Sequence, residues 1–253
     1  LGTACAGCFL AAVSLARIFA RPAAVKSMDT QSGYLSNLQI TSQFVSTDFV
    51  PDGNLAKPAW SHAHGARFDH SWAGDLHYPE AATEVASLWS GHYVYFAYGC
   101  RYSTLNVYSG QDPSKDFWGL WERDVVELFI NPQPQRMNHY YEFEVAPNNL
   151  WIDLEINLDR KPFNDAGWNS GFEHATAIDA AHHQWTCEMR IPIAALAGAN
   201  YTPSPGDEWR INFFRADGKG DNEHRRLLAW SPVPAKTANF HTPRRFGIIR
   251  FAK

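Results

Sequence analysis

The sequence has few charged residues, few cysteines and no long hydrophobic segment after its first residues. Only 19% of the 253 residues are charged, and the net charge is −4. Proteins that bind nucleic acid usually carry a basic excess, so this balance argues against that function. Outside an apolar run at residues 4–16, no segment approaches the ~20 apolar residues that a membrane span needs. We therefore expect a globular chain with no nucleic-acid partner and no membrane span.

The four cysteines indicate neither a zinc site nor a redox motif. Cys5 and Cys8 form a Cys-x-x-Cys pair, but no second ligand pair follows and no βαβ pattern surrounds it. Cys100 and Cys187 lie in apolar, strand-like runs, where lone cysteines are more often buried thiols. We expect both thiols to be free, with a Cys100–Cys187 disulfide as the alternative.

The N-terminal segment does not fit the pattern of the rest of the chain. Its apolar run has the length of a signal-peptide core, but Arg17, Arg21 and Lys26 follow the run and no basic residue precedes it. A secreted or periplasmic location is favoured, and a cytoplasmic one follows if Met28 is the true start. We expect residues 1–30 to be an apolar segment outside a domain that spans 36–253.

Aromatic residues are abundant, and they occur in strand-like runs. Ten Trp, ten Tyr and sixteen Phe make up 14% of the chain. Such residues favour strands, and their rings also offer flat apolar surfaces. Short runs rich in Val, Ile, Phe and Tyr are separated by turn clusters of Pro, Asp, Asn and Gly. The predicted strands are 38–44, 83–89, 93–99, 124–131, 140–146, 150–156, 174–178, 184–191, 209–216, 226–231 and 246–251, with one helical turn at 193–196. This series predicts an all-β fold, an antiparallel, jelly-roll-like β-sandwich of two sheets.

Acidic residues alternate with apolar residues along two of these strands. Glu142 and Glu144 share one face of their strand, and Asp153 and Glu155 share one face of the next. Acids in this pattern are more often the solvated face of a half-buried strand than a glycosidase pair. A glycosidase pair needs two carboxyls ~5–9 Å apart across a cleft. We expect a solvated face, with a glycan-active enzyme of the glycoside hydrolase type as the alternative.

Two segments carry the most specific pattern. In the first, Trp121 is followed by two polar residues, an Asp, an apolar pair and Glu127. In the second, Phe240 is followed by five residues and then by a Phe-Gly pair, which leads into an apolar-Arg-apolar strand at 249–251. With two strands that lie between them, this order resembles carbohydrate-binding module family 9 over about residues 50–253.

The resemblance implies a two-sheet sandwich that binds a mono-, oligo- or polysaccharide without catalysis, in support of glycan degradation. It also implies a separate glycoside hydrolase as a partner. Carried over, Trp121 and Phe240 would clamp a sugar and Glu127 would accept a hydroxyl hydrogen bond. The alternative for each ring is a place in the core. Local side chains that could add to the site are Trp118, Arg215, Tyr141, Asn106 and Trp168.

This chain departs from the family at polar positions of the site. Glu144 and Ala146 stand where the family has an Arg and an Asn, and Phe214 stands where it has a Gln. The sugar specificity of the family is therefore not carried over. The family also binds structural calcium, for which Asp and Glu oxygens are suitable ligands. No spaced calcium loop is visible in the sequence, so we name no ligands.

The sequence carries no clear motif for zinc or haem. His62-x-His64 lacks the framing of a zinc site. Related sandwiches can hold haem through Met and His ligands, which gives a haem-binding electron-transfer domain as a third functional class. Met137 and Met189 lie in no matching motif, so carbohydrate binding remains the leading interpretation.

Overall fold

The computed structural model describes residues 33–198, 201–220 and 224–253. These residues form thirteen strands and one short α-helix, so the all-β prediction is confirmed. The strands are β1 (Gln39–Phe44), β2 (His64–Phe68), β3 (Thr83–Trp89), β4 (Tyr93–Arg101), β5 (Val125–Asn131), β6 (His139–Val145), β7 (Trp151–Asn157), β8 (Asn164–Asp165), β9 (Glu173–Asp179), β10 (Gln184–Pro192), β11 (Glu208–Asp217), β12 (Arg226–Ala229) and β13 (Gly247–Ala252). The helix α1 (Ile193–Ala197) follows β10 at the predicted turn. Each predicted strand matches an observed one within two residues at each end, whereas β2 and β8 were not predicted.

The expectations for residues 1–30, including those for Cys5 and Cys8, lie outside the described residues. From Tyr34 onward the chain contacts the domain. The Tyr34 ring is buried, and Leu35 N–H donates to Arg244 O at 2.7 Å. Within the described ranges, no helix combines the length and apolarity that crossing a bilayer would require.

The strands form one long sheet that curls into two facing halves. The hydrogen-bonded order is β8-β7-β6-β5-β11-β13-β1-β3-β4-β10-β9, with β12 on β11 and β2 on β3. The half that ends at β13 faces the half that begins at β1. Pairing is antiparallel as predicted except at β1, which runs parallel to both β13 and β3. The two-sheet sandwich is thus confirmed, with β1 as a parallel seam between its halves.

The inner core lies between the two halves. Leu128 of β5 and Phe143 of β6 belong to the same apolar cluster as Phe96 of β4 and Trp185 of β10. Because successive side chains on a strand point to opposite faces, every second residue of these strands enters this core. The remaining residues of the same strands form two outer faces.

Cys100 and Cys187 lie in the inner core as free, buried thiols, in agreement with the sequence expectation. Cys100 is opposite Trp185 and Cys187 is opposite Tyr98, so the thiols are not direct cross-strand partners. Burial raises the pKa of the Cys100 thiol to about 12. It is therefore protonated and unreactive at neutral pH.

Loops cover both outer faces of the sandwich. Over β3 and β4, Leu55 and Trp60 pack with Tyr95 in a separate apolar cluster. Over β5, β6 and β11, Leu120 and Phe246 join strand residues in another. The strands are therefore buried on both faces, although their alternating pattern is typical of strands with one wet face.

This cover overturns the predicted solvated face. The exposed fractions of Glu142, Glu144 and Asp153 are 4%, 0% and 0%. Asp153 points to the inner side, where Ser170 N–H donates to its carboxylate at 2.8 Å. Of the four acids, only Glu155 is partly exposed. The alternation showed which residues share a face, but it does not show which loops close over that face. On β7 the acidic face is the inner one, and Ile152 and Leu154 lie on the outer side.

Gly247 provides a test of the packing where β13 begins. A Cβ at this position would lie 2.6 Å from Leu38 O and 2.6 Å from Cζ3 of Trp230. We expect Gly247→Ala to cost about 1–3 kcal/mol because core overpacking displaces its neighbours. Calorimetry should show melting several degrees lower, whereas Gly91→Ala, whose Cβ meets nothing within 4 Å, should melt like the wild type. Equal melting of the two variants would contradict the close approach at Gly247.

Candidate functional site

The outer face of β5, β6 and β7 carries an open cavity of about 380 Å³. This volume lies within the ~300–1,000 Å³ typical of small-molecule sites. Aromatic and aliphatic side chains form its walls, and three glutamates on the sheet form its floor. The lining residues are Trp118, Trp121, Glu127, Phe129, Glu142, Glu144, Leu154, Phe163, Asn164, Arg225, Leu227, Ala238, Asn239, Phe240 and His241.

One wall is formed by two tryptophans in the loop before β5. Trp121 lies in the 3-10 turn Leu120–Glu122, and Gly119 enters this turn at a φ of 88°, a conformation that favours glycine. The rings of Trp118 and Trp121 meet edge to face with centroids 5.0 Å apart. Trp121 is half-buried and belongs to none of the apolar clusters of the described residues. Its place at the cavity favours a binding position over a core position.

The loop before β13 forms another wall. Phe240 stacks on Phe214 with centroids 4.1 Å apart and an interplanar angle of 12°. One face of the Phe240 ring is thus covered by protein, and the residue packs against the outer apolar cluster. Next to it, His241 Nδ1 lies 2.8 Å from the Tyr140 hydroxyl, a hydrogen bond that anchors the loop to β6.

The floor brings three carboxyl groups together on one sheet face. Glu127 of β5 is directly opposite Glu144 of β6, and Glu142 lies two residues away on the same side. Each offers a carboxylate oxygen within 4.8 Å of the others. All three are buried, with exposed fractions of 3% for Glu127, 0% for Glu144 and 4% for Glu142. Like charges directly opposite each other on a sheet are destabilising, so this arrangement opposes folding.

The buried acids hold their protons to higher pH than ordinary glutamates. Burial raises the pKa of Glu144 well above 4.5, and repulsion by Glu127 and Glu142 raises it further. The pKa of Glu127 is raised well above 4.5 by burial and then by repulsion from Glu142. Arg225 lowers the pKa of both Glu127 and Glu144, although less than burial raises them. Its guanidinium donates to Trp121 O, so it links the floor to the tryptophan wall.

Four of the five predicted site residues line this cavity: Trp121, Glu127, Phe240 and Trp118. Arg215 does not. Its side chain is fully buried on the inner side of β11, where it donates to Asp217 Oδ1 at 2.8 Å and to Ala81 O at 2.9 Å.

Sequence reasoning missed Arg225, Glu142 and His241 as cavity residues, and it placed Glu144 at a site position only as a departure from the family. The i, i+2 spacing of Glu142 and Glu144 placed both on one face, and this was the available signal. No local sequence pattern showed that the loops that carry Arg225 and His241 lie over that face.

The remaining candidates lie elsewhere. Tyr141 and Trp168 stack with centroids 4.7 Å apart and pack against the inner core rather than the cavity. The backbone N–H of Asn106 donates to the Asp124 carboxylate. Tyr141, Trp168 and Asn106 therefore serve packing and loop closure in this structure.

Two groups among the described residues bring metal-ligating atoms within 4.8 Å of one another. One is the glutamate floor. The other lies on the surface, where Asp69 Oδ1 is 3.1 Å from His70 Nδ1 and 3.2 Å from His77 Nε2. Arg67 also donates to Asp69 at 2.8 Å, so this carboxylate already has a cationic partner.

The glutamate floor fits the calcium that the resemblance implies only in part. Calcium takes about 6–8 oxygen ligands. The three carboxyls supply at most six oxygens, and the next residues on the same face, Phe129, Phe214 and Leu154, are apolar. A calcium shell larger than that would need oxygens from water, from a bound molecule or from Asn164 and Asn239, whose amides line the cavity.

The buried carboxyls predict an unusual dependence of stability on pH. The pKa of Glu144 is raised in the folded state, so the unfolded chain loses this proton first as pH rises above about 4.5. The contribution of Glu144 to the free energy of unfolding therefore falls above that pH. We expect Glu144→Gln to raise the melting temperature at pH 7 by roughly 2–4 °C, the shift given by about 1 kcal/mol in a chain of this size. The gain should shrink towards pH 4.

Glu155→Gln is the matched control, with the opposite expected sign. Burial would raise the pKa of Glu155, but hydrogen bonds from His139 and Arg160 hold it below its usual value. Its removal should lower the melting temperature at pH 7. A loss of stability in both variants would contradict the assignment of Glu144 as an uncompensated buried acid.

Comparisons with known proteins extend over most of the chain. Residues 51–253 match the model of the family described as carbohydrate family 9 binding domain-like. An extracellular protein of Arthroderma benhamiae is 30% identical over an alignment of 143 residues, and the match covers 52% of this chain and 62% of that protein. The chain thus spans less than two thirds of this relative.

Solved structures share the fold at low sequence identity. A Bacteroides uniformis protein for which carbohydrate binding is inferred has a TM-score of 0.68 at 18% identity, covering 85% of this chain and all of that one. A family 9 carbohydrate-binding module from Caldicellulosiruptor kristjanssonii, in complex with cellotriose, has a TM-score of 0.59 at 17% identity and covers 85% and 94% of the two chains. Its complex with glucose has a TM-score of 0.59 at 17% identity and covers 85% of this chain and 95% of that one. At these identities the likeness establishes the fold alone.

Proposed function

The chain belongs to the carbohydrate family 9 binding domain-like family, and from this premise we propose that its outer-face cavity binds a saccharide without catalysis. The observation that carries the proposal is the pairing of aromatic walls with a carboxyl floor in one open cavity. A pyranose ring has an apolar C–H face and a polar edge of hydroxyls. Aromatic rings can cover the first, and carboxylates can accept hydrogen bonds from the second.

In this proposal Trp121 is the main stacking surface and Phe240 the second wall. Trp118 supports the Trp121 ring from its edge. Glu127 accepts a hydrogen bond from a sugar hydroxyl and fixes the orientation of a ring that stacking alone would let slide. Because β5 holds this carboxylate in a rigid sheet, little entropy is lost when the sugar binds.

The geometry of the acids supports binding rather than hydrolysis. Glu127, Glu142 and Glu144 lie side by side on one sheet face, with ligand atoms within 4.8 Å of one another. A glycosidase pair stands ~5–9 Å apart on either side of the scissile bond. A haem site has less support, because Met189 lies in the inner core whereas Met137 packs against the outer cluster.

The setting of this function is also a proposal. The Caldicellulosiruptor modules were solved with cellotriose and glucose, which supports a glucose-type sugar or its oligomers as first ligands to try. The Arthroderma relative is an extracellular protein, which supports an extracellular site of action. A glycoside hydrolase on a separate chain would be the partner that degrades the bound glycan.

Trp121→Ala tests the binding site. We expect at least a tenfold weaker affinity for any saccharide that the wild type binds, about 1.4 kcal/mol, measured by calorimetry with glucose, cellotriose and glycan-array hits. The melting temperature should change by less than about 2 °C, because the ring is outside the core clusters. Glu127→Gln should weaken binding less.

Phe44→Ala is the control for the loss of an aromatic side chain away from the cavity, since Phe44 is partly exposed and packs edge to face on Trp89. Its saccharide affinity should equal that of the wild type. If Trp121→Ala folds and binds normally, the site lies elsewhere. If it melts many degrees lower, Trp121 has a core role and the stacking assignment fails.

A further inference from the structure

Part of the carboxyl floor lacks hydrogen-bond donors among the described residues. Both oxygens of Glu144 and one oxygen of Glu142, Oε2, are buried and accept no hydrogen bond from an N–H or hydroxyl group of the described residues. The two carboxyls are close enough to share a proton with each other. Both side chains line the cavity, so these oxygens lie next to the space that a ligand would fill. Buried polar atoms are almost always satisfied, and an exception indicates a missing partner.

Another buried acid in the same fold shows how the chain satisfies a carboxylate when it needs no ligand. Glu188 is fully buried on the opposite outer face. It accepts hydrogen bonds from the backbone N–H of Asp52 and of Gly53, each at 2.8 Å, from Lys57 Nζ at 2.8 Å and from Trp60 Nε1 at 2.7 Å. The glutamates of the cavity floor have no such set of donors.

A partner that supplies several donors and a positive charge in one small space would satisfy these oxygens and favour their ionised form. A hydroxyl supplies one donor and no charge, whereas an ammonium group supplies three donors and no acceptor. Three carboxyls within 4.8 Å of one another match that arrangement. The tryptophan and phenylalanine walls add to it, because aromatic faces attract cations. A calcium ion fits less well, since the neighbouring residues on this face are apolar.

We propose that the ligand is a saccharide with a free amine, such as a 2-amino-2-deoxy sugar, whose ammonium group lies among Glu127, Glu142 and Glu144. This rests on the proposed function, that the cavity binds a saccharide. The sugar ring contacts Trp121 and Phe240, and the ammonium donates to the Glu144 oxygens that the protein leaves without partners. N-acetylation removes the charge and enlarges the group, so acetylated sugars are disfavoured.

Preference for the amine depends on pH. The charged or titratable groups that face the floor are Glu127 from β5, Glu142 and Glu144 from β6, Arg225 from the loop before β12 and His241 from the loop before β13. An ammonium favours the ionised carboxyls, so its binding is linked to proton release. As pH falls and the carboxyls become protonated, the advantage of an amino sugar over its neutral parent decreases.

Calorimetry of the full chain in EDTA at pH 7 tests the proposal with four sugars and one derivative. Glucosamine and galactosamine are compared with glucose and galactose, and N-acetylglucosamine is the neutral derivative. We expect one of the amines to bind at least tenfold more tightly than its parent and the acetylated sugar to bind no better than glucose. The ratio should fall at pH 5. Parents that bind as tightly as both amines, or a ratio independent of pH, would overturn the proposal.

Three glutamate-to-glutamine variants separate this outcome from others. Glu144→Gln, which keeps the shape but removes the charge, should reduce the ratio of amine to parent affinity to within about threefold, and Glu142→Gln provides the same test if the first variant fails to fold. Glu155→Gln, on the opposite face, should leave the ratio unchanged. If EDTA abolishes binding and calcium restores it, the floor is a metal site and the amine assignment is wrong.

Failure of the broader function has a different result. If the full chain binds neither these sugars nor cellotriose nor any saccharide of a glycan array, the proposed function itself fails. Neutral saccharides bound without a preference for amines, and with loss on Trp121→Ala, would uphold the proposed function and reject only the ammonium assignment.

Discussion

The burial of three carboxyl groups away from water is the constraint on which the candidate site and its chemistry depend. Glu127, Glu142 and Glu144 occupy one face of paired strands, and loops close over that face until almost nothing of the three is exposed. Burial raises the pKa of all three and so opposes their ionisation, and repulsion from neighbouring carboxyls raises the pKa of Glu127 and Glu144 further. A fold tolerates such a cost most readily at a functional site, where a ligand recovers the lost interactions.

The sandwich separates support from recognition. Its inner core is apolar and closely packed between the two halves of the curled sheet, and it holds the strands in fixed register. The cavity lies on the outer face of β5, β6 and β7, where it is lined by the alternate residues of the same strands. Loops around residues 118–121 and 238–241 supply the walls. Because the floor belongs to the sheet, the spacing of the carboxyls is set by strand geometry rather than by loop conformation.

Much of the fold could be predicted because it depends on local pattern. The alternation in β6 assigned Phe143 to one face and Glu142 and Glu144 to the other, and the structure agrees. The error was to assume that the acidic face is wet. Whether a face is covered depends on loops far away in sequence, and Phe240 and Leu120 cover this face from positions 120 residues apart.

The part of the candidate site that could be predicted lies on one continuous segment, a turn and the strand that follows it. Trp121 and Glu127 belong to one continuous segment, so their common location at the cavity follows from the turn and from β5. Arg215 was assigned to the wrong face of β11. Its neighbour Phe214 faces outward, opposite Glu127, so Arg215 faces inward. Arg225 precedes a four-residue strand with no clear alternation, so its approach to Trp121 depends on tertiary packing alone.

The most direct measurement of the account is a crystal structure of the full chain with glucosamine at saturating concentration. The account predicts a sugar ring in contact with Trp121 and Phe240, with its nitrogen about 3 Å from a Glu144 carboxylate oxygen. A sugar bound at another surface, or one in the cavity with its amine turned to solvent and the Glu144 oxygens still without a partner, would contradict it.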